Sequence, residues 1–207
     1  SIPSGNFVEV AKLISREVAQ NDFKVEIYPF ARSIMNVEKH KADFHLPLIR
    51  PIHKTKKELE YEYVSEPMGQ VTFVLYTHKN LGDVDLSKLS DLKIDTMRGH
   101  KNLFPFEVNE LNEIHAGIGK VLIGRSDGFL FEQDAVDAFL KKYDIQKIHR
   151  QFFHSYDSAI IVPKSTHCKA VAVQINNAIK ELKSRNELQP LMLKIHKPFV
   201  TWQPSDL

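Results

Sequence analysis

The sequence predicts an α/β fold made of two similar lobes. Segments with helical spacing of apolar residues alternate with short apolar segments of strand length, and the links between them are short. Such alternation favours parallel βαβ units. A stretch of low hydrophobicity at residues 79–90 separates two of these series, and each series contains a similar helix-to-strand junction, Lys41-Ala-Asp43 and Arg125-Ser-Asp127. Duplication of a lobe would produce two such similar junctions, although charged turns are common between helices and strands.

The first series contains two helices and two strands. Phe7, Val10 and Ile14 recur at helical spacing with charged residues between them, which predicts an amphipathic helix from about Asn6. Residues 24–28 alternate between polar and apolar side chains and stop at Pro29, as a strand would. We expect a second helix over residues 31–38 and a strand over residues 43–47.

Beyond Pro51 the chain turns polar and then gives two further strands, at residues 60–64 and 71–76. The second series begins after the polar stretch. We expect strands at residues 93–96, 127–131, 147–152 and 159–163, and helices from about residue 101 and over residues 114–123, 132–143 and 169–185. Val171, Ile175, Ile179 and Leu182 give the last helix an apolar face.

The charge balance excludes several kinds of partner. The chain has 28 Lys and Arg against 26 Asp and Glu, a formal net charge of +2, so it lacks the basic field that holds nucleic acid or anionic lipid. Its apolar runs are far shorter than the roughly 20 residues of a membrane helix, and we expect no membrane insertion. One cysteine permits no intrachain disulfide and leaves the compartment open.

The sequence contains no motif that would assign a catalytic or metal site. The glycine-rich nucleotide loops, the GxSxG elbow and the HExxH metal pair are all missing. The ten histidines are scattered along the chain. Cys168 stands at the start of a helix whose apolar face needs filling, which favours a packing role over a nucleophilic one. We therefore expect a protein without catalytic residues, metal or cofactor.

Several segments together resemble the bacterial extracellular solute-binding proteins of the amino-acid-binding class, family 3, which have the type II periplasmic-binding fold. They are Phe7 to Ile14, Lys24 to Ile27, Lys41-Ala-Asp43, Val64-Ser-Glu-Pro67, Tyr76-Thr-His-Lys79, Leu89 to Lys93, Gly124-Arg-Ser-Asp-Gly128 and Ile161-Val-Pro-Lys164. The match covers nearly the whole chain in order. Family members usually begin with an additional strand, so either this chain is trimmed or it is divergent.

The resemblance implies two lobes, each a mostly parallel sheet flanked by helices, joined by two hinge strands. The first lobe would comprise residues 1–76 and 159–207, and the second lobe would be the inserted residues 77–158. The hinge strands would be residues 71–78 and 159–163. A ligand would then bind in the cleft between the lobes.

In the second lobe, the resemblance implies two ligand-binding positions. The turn Met97-Arg98-Gly99-His100 is similar to the family's Gly-Thr turn, where N–H groups at a helix start receive the ligand's carboxylate. Arg98 adds a positive charge, and a solvated turn is the alternative. Glu132 stands where the family often has an Asp that receives the ligand's ammonium. Its alternative role is that of an acid favoured by the dipole of the helix that it opens.

In the first lobe, the resemblance implies a carboxylate-binding Arg at the position where this chain has Glu58, in the segment that begins at Thr55. Arg50 lies nearby and either replaces that Arg or has a structural role such as pairing with Glu58. A turn at the carboxyl end of a predicted strand offers three further candidates for contact with a solute. They are Tyr28, Phe30 and Arg32, to which we add Met68 and Tyr156.

The function implied by the resemblance is reversible capture of a small polar solute, either an amino acid or a related organic acid or amine. The protein would be a periplasmic monomer, released from a signal peptide that is not in this sequence, and would deliver the solute to an ABC-type membrane permease. The alternatives are an extracytoplasmic sensor domain and a dehydratase-like enzyme of the same fold, with Glu132, His100 or Glu58 as general acid.

Overall fold

The computed structural model describes residues 4–18, 24–51 and 59–206. Within this part, the chain divides into two compact units. The first comprises residues up to 50 together with 59–70 and 157–196, and the second comprises Pro51 with residues 71–156 and 197–206. The boundaries at residues 70/71 and 156/157 lie a few residues before the two that the sequence predicts. Residues 197–206 belong to the second unit, whereas the sequence assigned them to the first.

Three helices build the core of the first unit. They are α1 (Asn6–Glu17), α5 (Thr166–Ser184) and α6 (Leu188–Ile195), and α1 packs against both of the others. Their apolar faces meet in a cluster that includes Val10, Ile14, Ile175, Ile179 and Met192. The sequence predicts α1 and α5 because their apolar residues follow the helical period. It did not predict α6, which only three residues separate from the end of α5.

The strands of the first unit are antiparallel. β1 (His45–Ile49) and β2 (Tyr61–Tyr63) each pair with the end of β7 (Ile148–Pro163), in registers that include Leu48 with Ala159 and Glu62 with Val162. The expectation of a mostly parallel sheet is therefore wrong for the strand pairs described in this unit. Residues 24–28, which precede α2 (Phe30–Glu38), form no strand and are largely exposed. Their alternation reflects a local contact, because Lys24 and Tyr28 both bind Glu26.

The second unit holds a mixed sheet in the order β7-β3-β6-β4-β5. Its further strands are β3 (Gly69–His78), β4 (Ile94–Met97), β5 (Asn109–Leu111) and β6 (Gly128–Glu132). β4 is parallel to both β5 and β6, while β3 is antiparallel to β6. The α/β fold class is thus confirmed. Among the described residues, parallel strand pairs occur in this unit alone. β7 is one continuous strand where the sequence predicted two.

Two helices, α3 (Ile114–Leu122) and α4 (Gln133–Lys142), pack against β6. The helix predicted from Lys101 is only a three-residue 3₁₀ turn, Lys101–Leu103, and the chain becomes extended at Phe104. Pro105 follows directly, and the residue before a proline is biased away from helical geometry. Among the described residues, no helix has the length and apolarity needed to cross a bilayer.

Arg150 explains why the C-terminal segment joins the second unit. Its guanidinium is fully buried and binds both carboxylate oxygens of Asp137, at 2.8 and 2.7 Å. It also donates to the carbonyl oxygens of Val200 and Trp202, and it lies 4.3 Å from the centre of the Trp202 ring. Sequence alone gave no reason to place these two carbonyl groups beside an arginine some fifty residues earlier.

Candidate functional site

A turn follows β4 where the sequence predicts one, but only a three-residue 3₁₀ segment comes after it, and the N–H groups of Arg98, Gly99 and His100 are already engaged. Gly99 has φ +91°, a left-handed conformation that favours glycine. Its N–H donates to Oε1 of Glu110 at 2.7 Å, and the N–H of Arg98 donates to the carbonyl of Leu111 at 2.8 Å. A carboxylate of the chain itself therefore occupies the position that was predicted to receive a ligand's carboxylate.

His100 closes the turn and faces aromatic rings. Its imidazole lies edge-on to Phe131, with ring centroids 5.0 Å apart, and 6.0 Å from Phe73. Its backbone N–H donates to the carbonyl of Met97 at 3.2 Å, and its Nδ1 is 3.3 Å from the carbonyl oxygens of Met97 and Arg98. Burial lowers the pKa of His100 below its ordinary value, so the ring is neutral at pH 7.

The helix-dipole argument for an anion at this turn does not hold. The 3₁₀ segment that follows His100 has only three residues, too few to build an appreciable dipole at its start. Arg98 adds a charge, but its side chain is exposed and has no ion-pair partner among the described residues. The physical basis of the predicted carboxylate site is thus reduced to one exposed guanidinium.

Glu132 is an acidic residue of the second unit whose carboxylate has an unusual environment. It ends β6 and stands at the N-cap of α4, yet its side chain makes no capping hydrogen bond. Within the described part of the chain, its half-buried carboxylate has neither a hydrogen-bond donor nor a cation as partner. Burial, with a smaller contribution from Asp134, raises the pKa of Glu132 to about 7. Glu132 thus opens α4, the position that its alternative role of a dipole-favoured acid requires, but it makes no capping hydrogen bond.

Tyr156 is a core residue, not a surface on which a solute could bind. Its side chain is 0% exposed, and its hydroxyl donates to the carbonyl of Leu103 at 3.3 Å. Its ring lies 5.1 Å from that of Phe73, which in turn contacts Phe104 and Phe131. This aromatic cluster supports the Gly99 turn from beneath through His100. Burial raises the pKa of Tyr156, so its hydroxyl stays protonated.

In the first unit, Tyr28 and Phe30 are exposed, at 40% and 53% respectively. The hydroxyl of Tyr28 donates to Glu26 at 2.5 Å, while the ring of Phe30 lies edge-on to His45 at 5.5 Å. Arg32 is also exposed and has no ion-pair partner among the described residues. These three positions have accessible side chains, and their contact with a solute stays a prediction.

His45 anchors this part of the first unit. Its Nε2 donates to the carbonyl of Pro47 at 3.1 Å, because that oxygen can only accept, and its Nδ1 then accepts from the hydroxyl of Ser33 at 2.7 Å. Burial lowers the pKa of His45, so the ring is neutral. The sequence gave no signal for this histidine beyond its place at the start of a strand.

Arg50 makes contacts within its own unit that favour the structural role, one of the two alternatives that the sequence left open, although its buried Nε has no hydrogen-bond partner among the described residues. Its guanidinium donates to the carbonyl oxygens of Val64 and Ser65, lies 3.5 Å from the carboxylate of Asp157, and stands 5.5 Å above the ring of Tyr63. The pairing with Glu58 and the position of Thr55 lie outside the described residues.

Met68 is the second core residue among the predicted ligand contacts. Its side chain is 0% exposed and belongs to the apolar cluster of the first unit, together with Val64 and Ile160. Its N–H donates to the carbonyl of Ser158 at 2.8 Å. Because the side chain has no exposed surface, a direct contact between Met68 and a solute is not supported.

The predicted site residues thus fall into two groups. Arg98, Gly99, His100 and Glu132 belong to the second unit, where β4 and β6 are neighbours, and Tyr28, Phe30 and Arg32 belong to the first unit. Glu110 is the residue that sequence analysis missed. Its strand, β5, has three residues and no apolar pattern, so nothing in the sequence indicated that it pairs with β4. Among the described residues, no three His, Cys, Asp or Glu side chains are grouped so that they could hold a metal ion.

No protein-family model matches the chain, and no curated protein matches it. Solved structures do. The substrate-binding protein of an amino acid ABC transporter is 19% identical, with 94% of this chain and 88% of that chain covered and a TM-score of 0.62. The GluR0 ligand-binding core from Nostoc punctiforme, in complex with L-glutamate, is 16% identical, with 96% and 93% covered and a TM-score of 0.63.

A third solved structure is the arginine-, lysine-, histidine-binding protein ArtJ from Geobacillus stearothermophilus. It is 14% identical, with 92% of this chain and 84% of that chain covered and a TM-score of 0.62. Likeness at these identities shows the fold. The chain therefore has the fold of the amino-acid substrate-binding proteins, and the resemblance that the sequence indicated is confirmed at that level. The neighbours named here are binding proteins and not enzymes.

Proposed function

We propose that this protein binds a small polar solute that carries an amino group, and that Glu132 receives the ammonium. The observation that carries the proposal is the half-buried carboxylate of Glu132, which has no partner among the described residues. A desolvated carboxylate without a cation is costly, and a ligand ammonium would remove that cost. The proteins of the same fold support this assignment, since their names include amino acid ABC transport and binding of arginine, lysine, histidine and L-glutamate.

The binding test uses the full chain and two matched variants. A thermal-shift screen with amino acids, organic acids and amines should find a stabilising solute, because a ligand at 100 times its Kd adds about 2.7 kcal/mol to stability. For that solute, Glu132→Gln should weaken binding about 30-fold or more, as expected when one partner of a desolvated charge pair is neutralised. The control is Glu107→Gln, which changes an exposed acid of the same unit that has no partner among the described residues.

Two outcomes would contradict the proposal. If no solute class shifts the melting temperature, capture of a small polar solute loses its basis. If a solute binds equally well to the wild type and to Glu132→Gln, the solute is held elsewhere.

Within this proposal, the protein is a periplasmic component that delivers its solute to an ABC-type permease. The substrate-binding protein of an amino acid ABC transporter, which has the same fold, supports transport over sensing. Deleting the gene should abolish uptake of the identified solute at low concentration while uptake of an unrelated solute continues. Intact uptake together with loss of a transcriptional response would favour the sensor function.

A further inference from the structure

We infer that the solute is an amine that lacks a carboxylate beside its amino group, and that Glu110 is the residue that excludes the carboxylate. This inference rests on the proposed function and narrows it to one substrate class. It depends on the bonds that the groups able to bind a carboxylate already make within the chain.

The first such group is the N–H of Gly99, which Glu110 already holds. Oε1 of Glu110 accepts this hydrogen bond at 2.7 Å, a short distance typical of a bond to an ionised acceptor. The contact is built into the sheet, because β5 pairs with β4 in parallel, with Glu110 opposite Thr96, and Arg98 donates to Leu111 just beyond. A solute carboxylate at Gly99 would have to displace this side chain and then lie beside its negative charge.

The other groups of the turn do not replace Gly99. The N–H of His100 is bonded to Met97, and the His100 ring is neutral and directs Nδ1 at backbone carbonyl oxygens. Arg98 keeps a charge without an ion-pair partner among the described residues, but its side chain is exposed. Exposed ion pairs contribute little, since both side chains stay solvated and mobile.

In the first unit, the possible substitute for the family's carboxylate-binding Arg is Arg50, and its terminal nitrogens are already in use. They bind Val64, Ser65 and Asp157 within the same unit, while the buried Nε has no hydrogen-bond partner among the described residues. By contrast, the acidic group of the second unit that could take a cation, Glu132, has no partner in the described part of the chain. Among the described residues, Glu132 thus offers a receptor for an ammonium, whereas the N–H groups of Gly99 and His100 are engaged and Arg98 offers an exposed guanidinium.

The test compares amino acids with their decarboxylated counterparts by isothermal titration calorimetry on the full chain. The pairs are L-arginine and agmatine, L-lysine and cadaverine, and L-tyrosine and tyramine. In the tightest pair, the amine should bind at least about tenfold more tightly, because like charges placed together at a binding surface are strongly disfavoured. An amino acid that binds as tightly as its amine, or more tightly, would overturn the inference.

Different binding results would contradict the inferred substrate class and the proposed function. Binding of an organic acid alone would overturn the inference and the assignment of Glu132 while leaving solute capture in place. If no solute of any class binds, the proposed function fails and the inference fails with it.

A variant pair assigns the exclusion to Glu110. Glu110→Ala removes the competing carboxylate and frees the N–H of Gly99, and because Glu110 is exposed the substitution leaves the core intact. The preference for amine over amino acid should then fall by about tenfold or more. Glu107→Ala, three residues earlier and also exposed, should leave the preference as in the wild type. An unchanged preference in Glu110→Ala would remove Glu110 from the explanation.

Discussion

Arg150 offers the sharpest test of how the C-terminal segment is held. In Arg150→Met, Asp137 would still accept the hydrogen bond from the hydroxyl of Tyr76, which is 2.9 Å long. It would lose the guanidinium that now binds both oxygens of its carboxylate. Breaking a buried ion pair from one side costs about 3–5 kcal/mol. The lost contact between the guanidinium and the ring of Trp202, 4.3 Å away, adds about 1 kcal/mol. We therefore expect a loss of about 4–6 kcal/mol in the free energy of unfolding.

Urea denaturation followed by tryptophan fluorescence measures this loss directly, because Trp202 is the sole tryptophan and lies against Arg150. The double variant Arg150→Met with Asp137→Leu should recover much of the stability, since it removes the uncompensated charge as well. Arg125→Met, which changes an exposed arginine of the same unit, should stay within about 0.5 kcal/mol of the wild type. A loss of under about 1 kcal/mol in Arg150→Met would refute the assigned role.

Two further predictions concern α3 and the ionisation of Glu132. A Cβ at Gly117 would lie 2.4 Å from the ring of Phe129, so Gly117→Ala should destabilise the protein by about 1–3 kcal/mol in the same denaturation assay. A Cβ at Gly119 meets nothing within 4 Å, so Gly119→Ala should stabilise the protein by up to about 1 kcal/mol. Equal effects would contradict this packing. Because the pKa of Glu132 is raised from its ordinary value of 4.5 to about 7, stability falls as pH rises through this range. Glu132→Gln should therefore match the wild type at pH 4 and exceed it by about 3 kcal/mol at pH 8. A difference that does not depend on pH would contradict it.

The sequence predicted elements well where side-chain periodicity reflected burial. The apolar residues of α1 and α5 face one core, and the helical spacing of Val10, Ile14, Ile175 and Ile179 was sufficient to identify both helices. Prediction failed where the pattern had another cause. Residues 24–28 alternate because charged and aromatic side chains pair locally on the surface, and no partner strand buries their apolar members.

Pairing between distant segments could not be predicted from the sequence. The parallel ladder of β5 with β4, the antiparallel ladders of the first unit and the contact of Arg150 with Val200 each join segments that carry no mutual signal along the chain. The turn at Gly99 was located correctly because its residue types and its place after a strand are local features. Its occupancy by Glu110 depends on a nonlocal strand register, so it was missed.

The competing roles of the charged residues are resolved by the partners that each side chain has. Arg150 is satisfied within its own unit by carbonyl and carboxylate groups, so its burial serves the fold. Arg50 binds carbonyl and carboxylate groups of its own unit through its terminal nitrogens, while its buried Nε has no hydrogen-bond partner among the described residues. Burial desolvates Glu132 enough to raise its pKa to about 7. No hydrogen bond or ion pair with a described residue compensates for this desolvation. A side chain held in that state destabilises the free protein at neutral pH, and no described residue supplies it with a partner. That asymmetry, more than the resemblance in sequence, is our reason for proposing Glu132 as a ligand-binding group.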